Sequence, residues 1–130
     1  MPDETLALVR RAFAAYAGGD VEGLLELLAP GVRIQSLLTE AERETYDGHQ
    51  GAREWFAAVL DVFPDWRPEP RDMRQLGDVV LTRVDVTATA SASGVPISQV
   101  YWNAARVEGG RIVWFGFFRN EEDALEAAGR

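Results

Sequence analysis

The chain has 130 residues, 47% of them hydrophobic, with a formal net charge of −8 and no cysteine. This length fits one domain, residues 1–130, whose core needs no disulfide, and the absence of cysteine excludes thiolate chemistry. The negative charge argues against a nucleic-acid partner, because a phosphate backbone binds a basic face.

The beginning of the chain is acidic, and it predicts no secretory leader. No apolar run approaches the ~18–20 residues that a helix needs to cross a bilayer. We therefore expect a cytoplasmic protein without a membrane partner.

Two amphipathic helices are predicted first. The apolar residues of the first helix recur at three- and four-residue spacing on one face, at Leu6, Val9, Phe13 and Tyr16. Gly18 and Gly19 end this helix, and Asp20 is placed to cap the next one. The second helix extends until Pro30, which stops it.

A strand, a loop and a third helix follow. Residues 32–36 alternate apolar and polar, which is typical of a half-buried strand. Residues 39–46 are charged and aperiodic, which favours a loop. The strongest apolar stripe of the chain is that of the third helix: Ala52, Trp55, Phe56, Val59, Leu60 and Phe63. Pro64, Pro68 and Pro70 end the helix and predict an edge strand, because proline cannot donate to a ladder.

From Gly77 onward the hydrophobic period changes to two. One face of the first long strand consists of Val80, Thr82, Val84 and Val86. A turn at residues 93–96 returns the chain along residues 97–107. Gly109 and Gly110 then give a hairpin signal before the last strand, which covers residues 111–118.

The order of these elements predicts an α+β domain. Asn120, with Asp123 three residues later, caps a short C-terminal helix. Long hairpins joined in sequence predict a curved antiparallel sheet packed on the three N-terminal helices. A sheet bent around helices leaves a cavity where it curls away, so we expect an apolar pocket that binds a small apolar molecule.

His49 is the first candidate for chemistry, since it is the only histidine and its ordinary pKa of about 6.5 suits proton transfer. A nearby helix N-terminus would favour its neutral form, and Asp47 could orient it as the second member of a dyad. Equally, His49 fits a surface position in a glycine-rich turn, and Asp47 fits an N-cap. One histidine and dispersed carboxylates offer no metal-ligand set, so we expect no metal or cofactor.

Asn103 is the second candidate, because an amide within a strand is unfavourable unless it meets water or a polar partner. It shares a strand face with Tyr101, and we interpret both as hydrogen-bond donors to a ligand oxygen. A satisfied amide that ties strands together is the alternative. The other residues expected to line the pocket are Tyr16, Trp55, Val59, Phe115, Phe117 and Arg119. For the aromatic residues, ordinary core packing is the competing interpretation.

The sheet face turned away from the helices is the third prediction. Trp102, Trp114 and Phe118 would form an apolar patch on it that is larger than a monomer usually tolerates. We therefore expect a homodimer joined through the sheets.

Several segments together resemble one family. They are AGGDVEGL at 17–24, LAPGV at 28–32, YDGHQGAR at 46–53, SGVP at 93–96, EGGRI at 108–112 and EDALEAAG at 122–129. Their order and spacing resemble the SnoaL-like branch of the nuclear-transport-factor-2-like superfamily, which includes ketosteroid isomerases. The resemblance implies a cone-shaped sheet around a pocket, but folds of this kind host several activities and plain binding domains.

Ketosteroid isomerases need a carboxylate base on the first strand, a tyrosine on the first helix and a protonated aspartate on a later strand. By the resemblance the base position falls at Ser36 or within one residue of it, the tyrosine position near Ala12, and the late acid near Asn103 or at Trp102. A serine without a base beside it cannot remove a proton from carbon, so steroid isomerisation by that mechanism is excluded. Ser36 is retained as a residue of the pocket.

Two functions follow. The first is a protein that binds a small apolar molecule, either as a plain binding protein or as a cofactor-independent acid–base enzyme of the isomerase, dehydratase, cyclase or hydrolase type. The alternative is a non-catalytic dimeric domain.

Overall fold

The computed structural model describes residues 2–36 and 45–129, and it confirms the α+β class. The elements are α1 (Pro2–Gly18), α2 (Val21–Leu27), β1 (Leu28–Ser36), β2 (Tyr46–Asp47), α3 (Gly48–Val62), β3 (Arg67–Leu76), β4 (Val79–Thr89), β5 (Pro96–Glu108), β6 (Arg111–Phe118) and α4 (Glu121–Ala128). Most of the loop predicted at residues 39–46 lies at 37–44, outside the described residues. None of the helices in the described part of the chain is long and apolar enough to cross a membrane.

Within the described residues the strands form one sheet in the order β2-β1-β6-β5-β4-β3, so β3 is an edge strand, as its prolines predicted. The prediction of an antiparallel sheet is wrong for one pair, because β1 runs parallel to β6. Parallel neighbours require a long crossover connection, and everything between residues 36 and 111 supplies it here.

Two predicted N-cap residues, Asp20 and Asn120, make the expected capping hydrogen bonds. The Asp20 carboxylate accepts from the Gly23 amide at 2.9 Å, and the Asn120 side chain accepts from the Asp123 amide at 2.8 Å. The helix α2 ends at Leu27, before Pro30, because Leu28 already pairs with β6.

The start of α3 corrects a second boundary. One interpretation of the sequence put His49 in a glycine-rich turn, but the helix begins at Gly48, whose φ of 72° allows the sharp entry from β2. Asp47 takes the N-cap position without a side-chain capping hydrogen bond. His49 therefore lies in the first turn of a helix.

The inner face of the sheet, turned toward α1 and α3, packs against the main core. Trp55 of α3 stacks on Phe117 of β6, with ring centroids 5.9 Å apart and an angle of 16° between the planes. Both side chains are fully buried. The helices are thus held to the sheet by aromatic contacts at the level of the last strand.

The outer face is partly covered by α4, which the dimer prediction did not consider. Ala124 and Ala128 pack against Phe118, which is buried, and against Trp102 and Trp114, which are half-buried. The predicted exposed aromatic patch is therefore smaller than expected, because the C-terminal helix covers part of it. The homodimer itself stays a prediction.

Candidate functional site

Asn103 lies inside the domain, as predicted. Its side chain is 1% exposed, and its alternation with Tyr101 and Ala105, both in the main core, places it on the inner face. The Asn103 Nδ2 donates to the Gly116 carbonyl at 3.0 Å, so the amide also ties β5 to β6. Asn103 belongs to a line of cross-strand partners, one on each of five adjacent strands: Ser36, Phe117, Asn103, Thr82 and Met73. We call this line the Asn103 row.

Thr82 is the member of the Asn103 row that sequence reasoning missed. It pairs with Asn103 across β4 and β5 and is fully buried, but its hydroxyl oxygen has no hydrogen-bond partner among the described residues. The sequence offered one signal for it, a hydroxyl side chain between Val80 and Val84 on the same strand face. Threonine is common in strands, so nothing else set this residue apart.

Trp66 is the second residue that was missed. It precedes β3 and is 3% exposed, and its ring lies 6.0 Å from that of Phe117 and 5.6 Å from that of Tyr16. Its indole Nε1 finds no acceptor within the described part of the chain. Its place between two prolines suggested a connecting segment, which hid it from a search based on periodicity.

The predicted aromatic residues come together around Tyr16. The rings of Trp55, Phe115 and Phe117 all lie within 6.0 Å of the Tyr16 ring, centroid to centroid, and Val59 belongs to the same core. Burial raises the pKa of Tyr16 far above its usual range, so its phenol is neutral at physiological pH. These rings are in contact with one another, and a pocket between them stays a prediction.

His49 lies elsewhere. Its Nε2 is 3.0 Å from the Leu28 carbonyl oxygen, and its half-buried ring borders a surface groove of about 460 Å³. We call this the His49 groove, and its lining consists of Leu25, Glu26, Leu28, Pro30, His49 and Arg111. The Asp47 carboxylate accepts from the Arg33 Nε at 2.9 Å, so it pairs with an arginine and not with the imidazole.

The His49 groove and the Asn103 row are at opposite ends of β6. Leu28, whose carbonyl meets His49, pairs with Ile112, whereas Asn103 pairs with Phe117. Five residues of strand separate these two levels, or roughly 16 Å at a rise of about 3.3 Å per residue. The structure therefore does not bring His49 and Asn103 to one reacting atom.

The remaining predicted residues surround the row at different depths. The Tyr101 hydroxyl donates at 2.8 Å to the Oε1 of Gln99, an exposed residue two positions earlier on the same strand face. Arg119 is exposed just beyond β6. Ser36 belongs to the row through its backbone pairing with Phe117.

Residues 9–115 match the family model of the SnoaL-like domain. The chain belongs to this family. The resemblance that the sequence motifs suggested is thereby confirmed. Among curated proteins, no relative matches the chain.

Solved structures agree with the family. An NTF2-like protein of unknown function from Burkholderia pseudomallei is 21% identical, with a TM-score of 0.82 and 95% of each chain covered. TerC, crystallised with polyporic acid, is 19% identical, with a TM-score of 0.81 and 98% of this chain and 99% of that chain covered. IdmH from Streptomyces antibioticus, described as a candidate polyketide cyclase, is 27% identical, with a TM-score of 0.74 and 97% and 99% covered.

In this SnoaL-like domain the described interior offers only uncharged polar groups. Apart from tyrosine and tryptophan, the buried polar side chains among the described residues are Thr82 and Asn103. Such groups can bind and orient an oxygen atom, and an amide N–H can stabilise developing negative charge on it. Titratable side chains meet the solvent at the His49 groove instead.

Proposed function

We propose that this SnoaL-like domain binds a small, largely apolar molecule between its helices and the inner face of its sheet. The proposal rests on Asn103, a fully buried amide within an aromatic core. A buried amide is costly unless it is hydrogen-bonded, and the bond that Nδ2 donates to Gly116 uses only part of what an amide can donate and accept. A ligand oxygen would use more of it.

The comparisons support a ligand of the polyketide type. IdmH is the compared structure above 25% identity, and its description concerns polyketide cyclisation. Aromatic rings on α1, α3 and β6 suit a flat, apolar molecule, and the neutral amide suits a ketone or lactone oxygen. We therefore assign the ligand to small apolar ketones, lactones or polyketide fragments.

A thermal-shift screen with a panel of such compounds tests this proposal. A ligand that binds the folded state raises the melting temperature, and the shift grows with concentration above the Kd. In Asn103→Leu, which keeps the volume but removes the amide, we expect the shift to fall. In Gln50→Leu, an amide removed from an exposed position of α3, we expect the wild-type shift. A panel that leaves the wild-type melting temperature unchanged, or equal shifts in both variants, would contradict the proposal.

Cofactor-independent acid–base catalysis is the second candidate function, and the likeness to IdmH favours it. A base must come within hydrogen-bond reach of the proton it removes. Because His49 and Asn103 lie far apart, His49 with Asp47 would act on a substrate in the His49 groove, whereas Asn103 and Tyr101 would act on one inside the domain. Turnover of a linear polyketide-type diketone by His49→Ala separates these cases: full turnover removes His49 from the mechanism.

A homodimer remains part of the proposal. Val100 is 49% exposed on the outer face, next to half-buried Trp102, and this region is left open by α4. Association through it would remove apolar surface from water. Gel filtration that gives a monomer at micromolar concentration would contradict this arrangement.

A further inference from the structure

Three buried polar atoms have no hydrogen-bond partner among the described residues. One is the Gln75 Oε1, on a half-buried side chain of the edge strand β3. The other two are the Thr82 hydroxyl oxygen and the Trp66 indole Nε1, on side chains that are 0% and 3% exposed. Buried polar groups in folded proteins are almost always paired, because an unpaired one loses its hydration without compensation. Such atoms on the inner side of a small domain are available to hydrogen-bond a bound ligand.

A chain of neighbouring residues connects Thr82 to Trp66. Thr82 lies opposite Asn103, and side chains in such cross-strand pairs have Cβ atoms roughly 5 Å apart. Asn103 in turn lies opposite Phe117, whose ring is 6.0 Å from that of Trp66. Phe117, itself a member of the Asn103 row, thus has Asn103 beside it in the sheet and the Trp66 ring against its own ring.

The chemistry of these groups restricts the ligand. An indole N–H is a donor only, so the atom that meets Trp66 must be an acceptor. A threonine hydroxyl can donate to the same kind of atom. No cationic side chain is buried among the described residues, so a carboxylate would enter without a partner, at a high desolvation cost. A neutral carbonyl oxygen satisfies all three conditions.

We propose that Thr82 and Trp66 form a hydrogen-bonding subsite that selects uncharged carbonyl compounds over hydrocarbons and carboxylates. This inference rests on the proposed function, because it assigns the polar contacts of that same interior site. In the absence of ligand the two polar atoms are buried without a partner among the described residues, which lowers stability. With a ketone bound, each donates to an oxygen of the ligand.

Matched probes and variants test the subsite. The probes are 1-tetralone, its hydrocarbon analogue tetralin, and 2-naphthoate, and the measurement is the Kd by calorimetry. Wild type should bind 1-tetralone more tightly than either of the other two. In Thr82→Val and in Trp66→Phe, the Kd for 1-tetralone should rise by about five- to tenfold, whereas the Kd for tetralin stays unchanged.

The controls repeat each change on exposed or outer positions. Thr87→Val lies on the same strand with an exposed side chain, and Trp102→Phe lies on the outer face. Both should bind 1-tetralone like wild type. Thr82→Val without ligand should be at least as resistant to urea as wild type, since it removes a hydroxyl that has no partner.

The outcomes separate the two proposals. If wild type binds 1-tetralone but both variants bind it equally well, the subsite is wrong and the binding function stands. If Thr82→Val unfolds at clearly lower urea, its hydroxyl has a structural partner and the subsite is also wrong. If wild type binds none of the probes and no compound of the wider panel, both proposals fail.

Discussion

The two ends of the paired strands β1 and β6 differ in chemistry. At the Ile112 end, His49, Asp47, Arg33 and Arg111 lie at or near the surface, with ionic contacts such as that between Arg33 and Asp47. At the Phe117 end, apart from tyrosine and tryptophan, the buried polar side chains among the described residues are the Asn103 amide and the Thr82 hydroxyl, next to an aromatic core. Groups that exchange protons thus meet water, and groups that only form hydrogen bonds are buried.

This difference explains why ligand binding is the first proposal and catalysis the second. The side chains of Asn103 and Thr82 carry no charge at any physiological pH. The Tyr16 phenol is also neutral, because burial raises its pKa. A proton-transfer site would require a titratable group inside, and the buried titratable side chains among the described residues are three tyrosines, Tyr16, Tyr46 and Tyr101. The end of β6 near Phe117 therefore suits hydrogen bonding to a neutral molecule, and the end near Ile112 holds the side chains that ionise.

The largest expected effect is at the aromatic end. Trp55→Ala removes a fully buried ring that packs on Phe117 and Tyr16, so the free energy of unfolding should fall by about 3–5 kcal/mol. Asp47→Ala, at the ionic end, removes an exposed ion pair and should change it by less than about 0.5 kcal/mol. Urea denaturation at pH 7 measures both, and similar losses in the two variants would remove the contrast.

A charge placed in the Asn103 row should make stability depend on pH. In Asn103→Asp the buried carboxyl faces the Gly116 carbonyl, so its pKa in the folded state rises above the unfolded value of about 3.9. Stability is then fully present below pH 4 and is lost as pH rises through the folded pKa, by about 1.4 kcal/mol per unit between the two values.

Ser98→Asp is the matched control, because residue 98 lies on the same strand with an exposed side chain. It should show the wild-type pH profile between pH 4 and pH 8. Superimposable profiles for the two variants would mean that the Asn103 environment is as polar as the surface.

The smallest expected effect is the difference in stability lost when two aspartates at helix N-termini are each replaced by alanine. Asp20→Ala removes a carboxylate that caps α2 through the Gly23 amide, and it should cost about 1 kcal/mol. Asp47 occupies the N-cap position of α3 without such a bond, so the same substitution there should cost less than half as much. Thermal denaturation of both variants checks the order, and a larger loss for Asp47→Ala would reverse our interpretation of the ionic end.

Local patterns were enough to predict most elements of the fold. Glycine pairs, prolines and caps fixed the ends of α1, α4 and the hairpin at Gly109–Gly110, because these signals act within a few residues. The parallel pairing of β1 with β6 was not predictable in this way, since it joins segments that are distant in sequence. The cover that α4 gives to β4 and β5 escaped for the same reason.

The candidate site likewise contains residues with a local sequence signal and residues without one. Asn103 was identified because an amide is unusual in a strand, and the aromatic residues were identified by helical spacing. Thr82 and Trp66 are ordinary residues whose importance comes from burial without a partner, which depends on the three-dimensional surroundings. The dyad of Asp47 and His49 looked plausible from spacing alone, but Asp47 instead pairs with Arg33.

The central claim is that a neutral ligand enters at the Asn103 row and not at the His49 groove. Titration of isotope-labelled protein with 1-tetralone, followed by NMR, tests it most directly through the side-chain amide signals of Asn103 and the ring signals of His49. We expect the Asn103 and Trp66 signals to shift in a saturable manner while those of His49 stay in place. Saturable shifts at His49 with unchanged Asn103 and Trp66 signals would contradict the account.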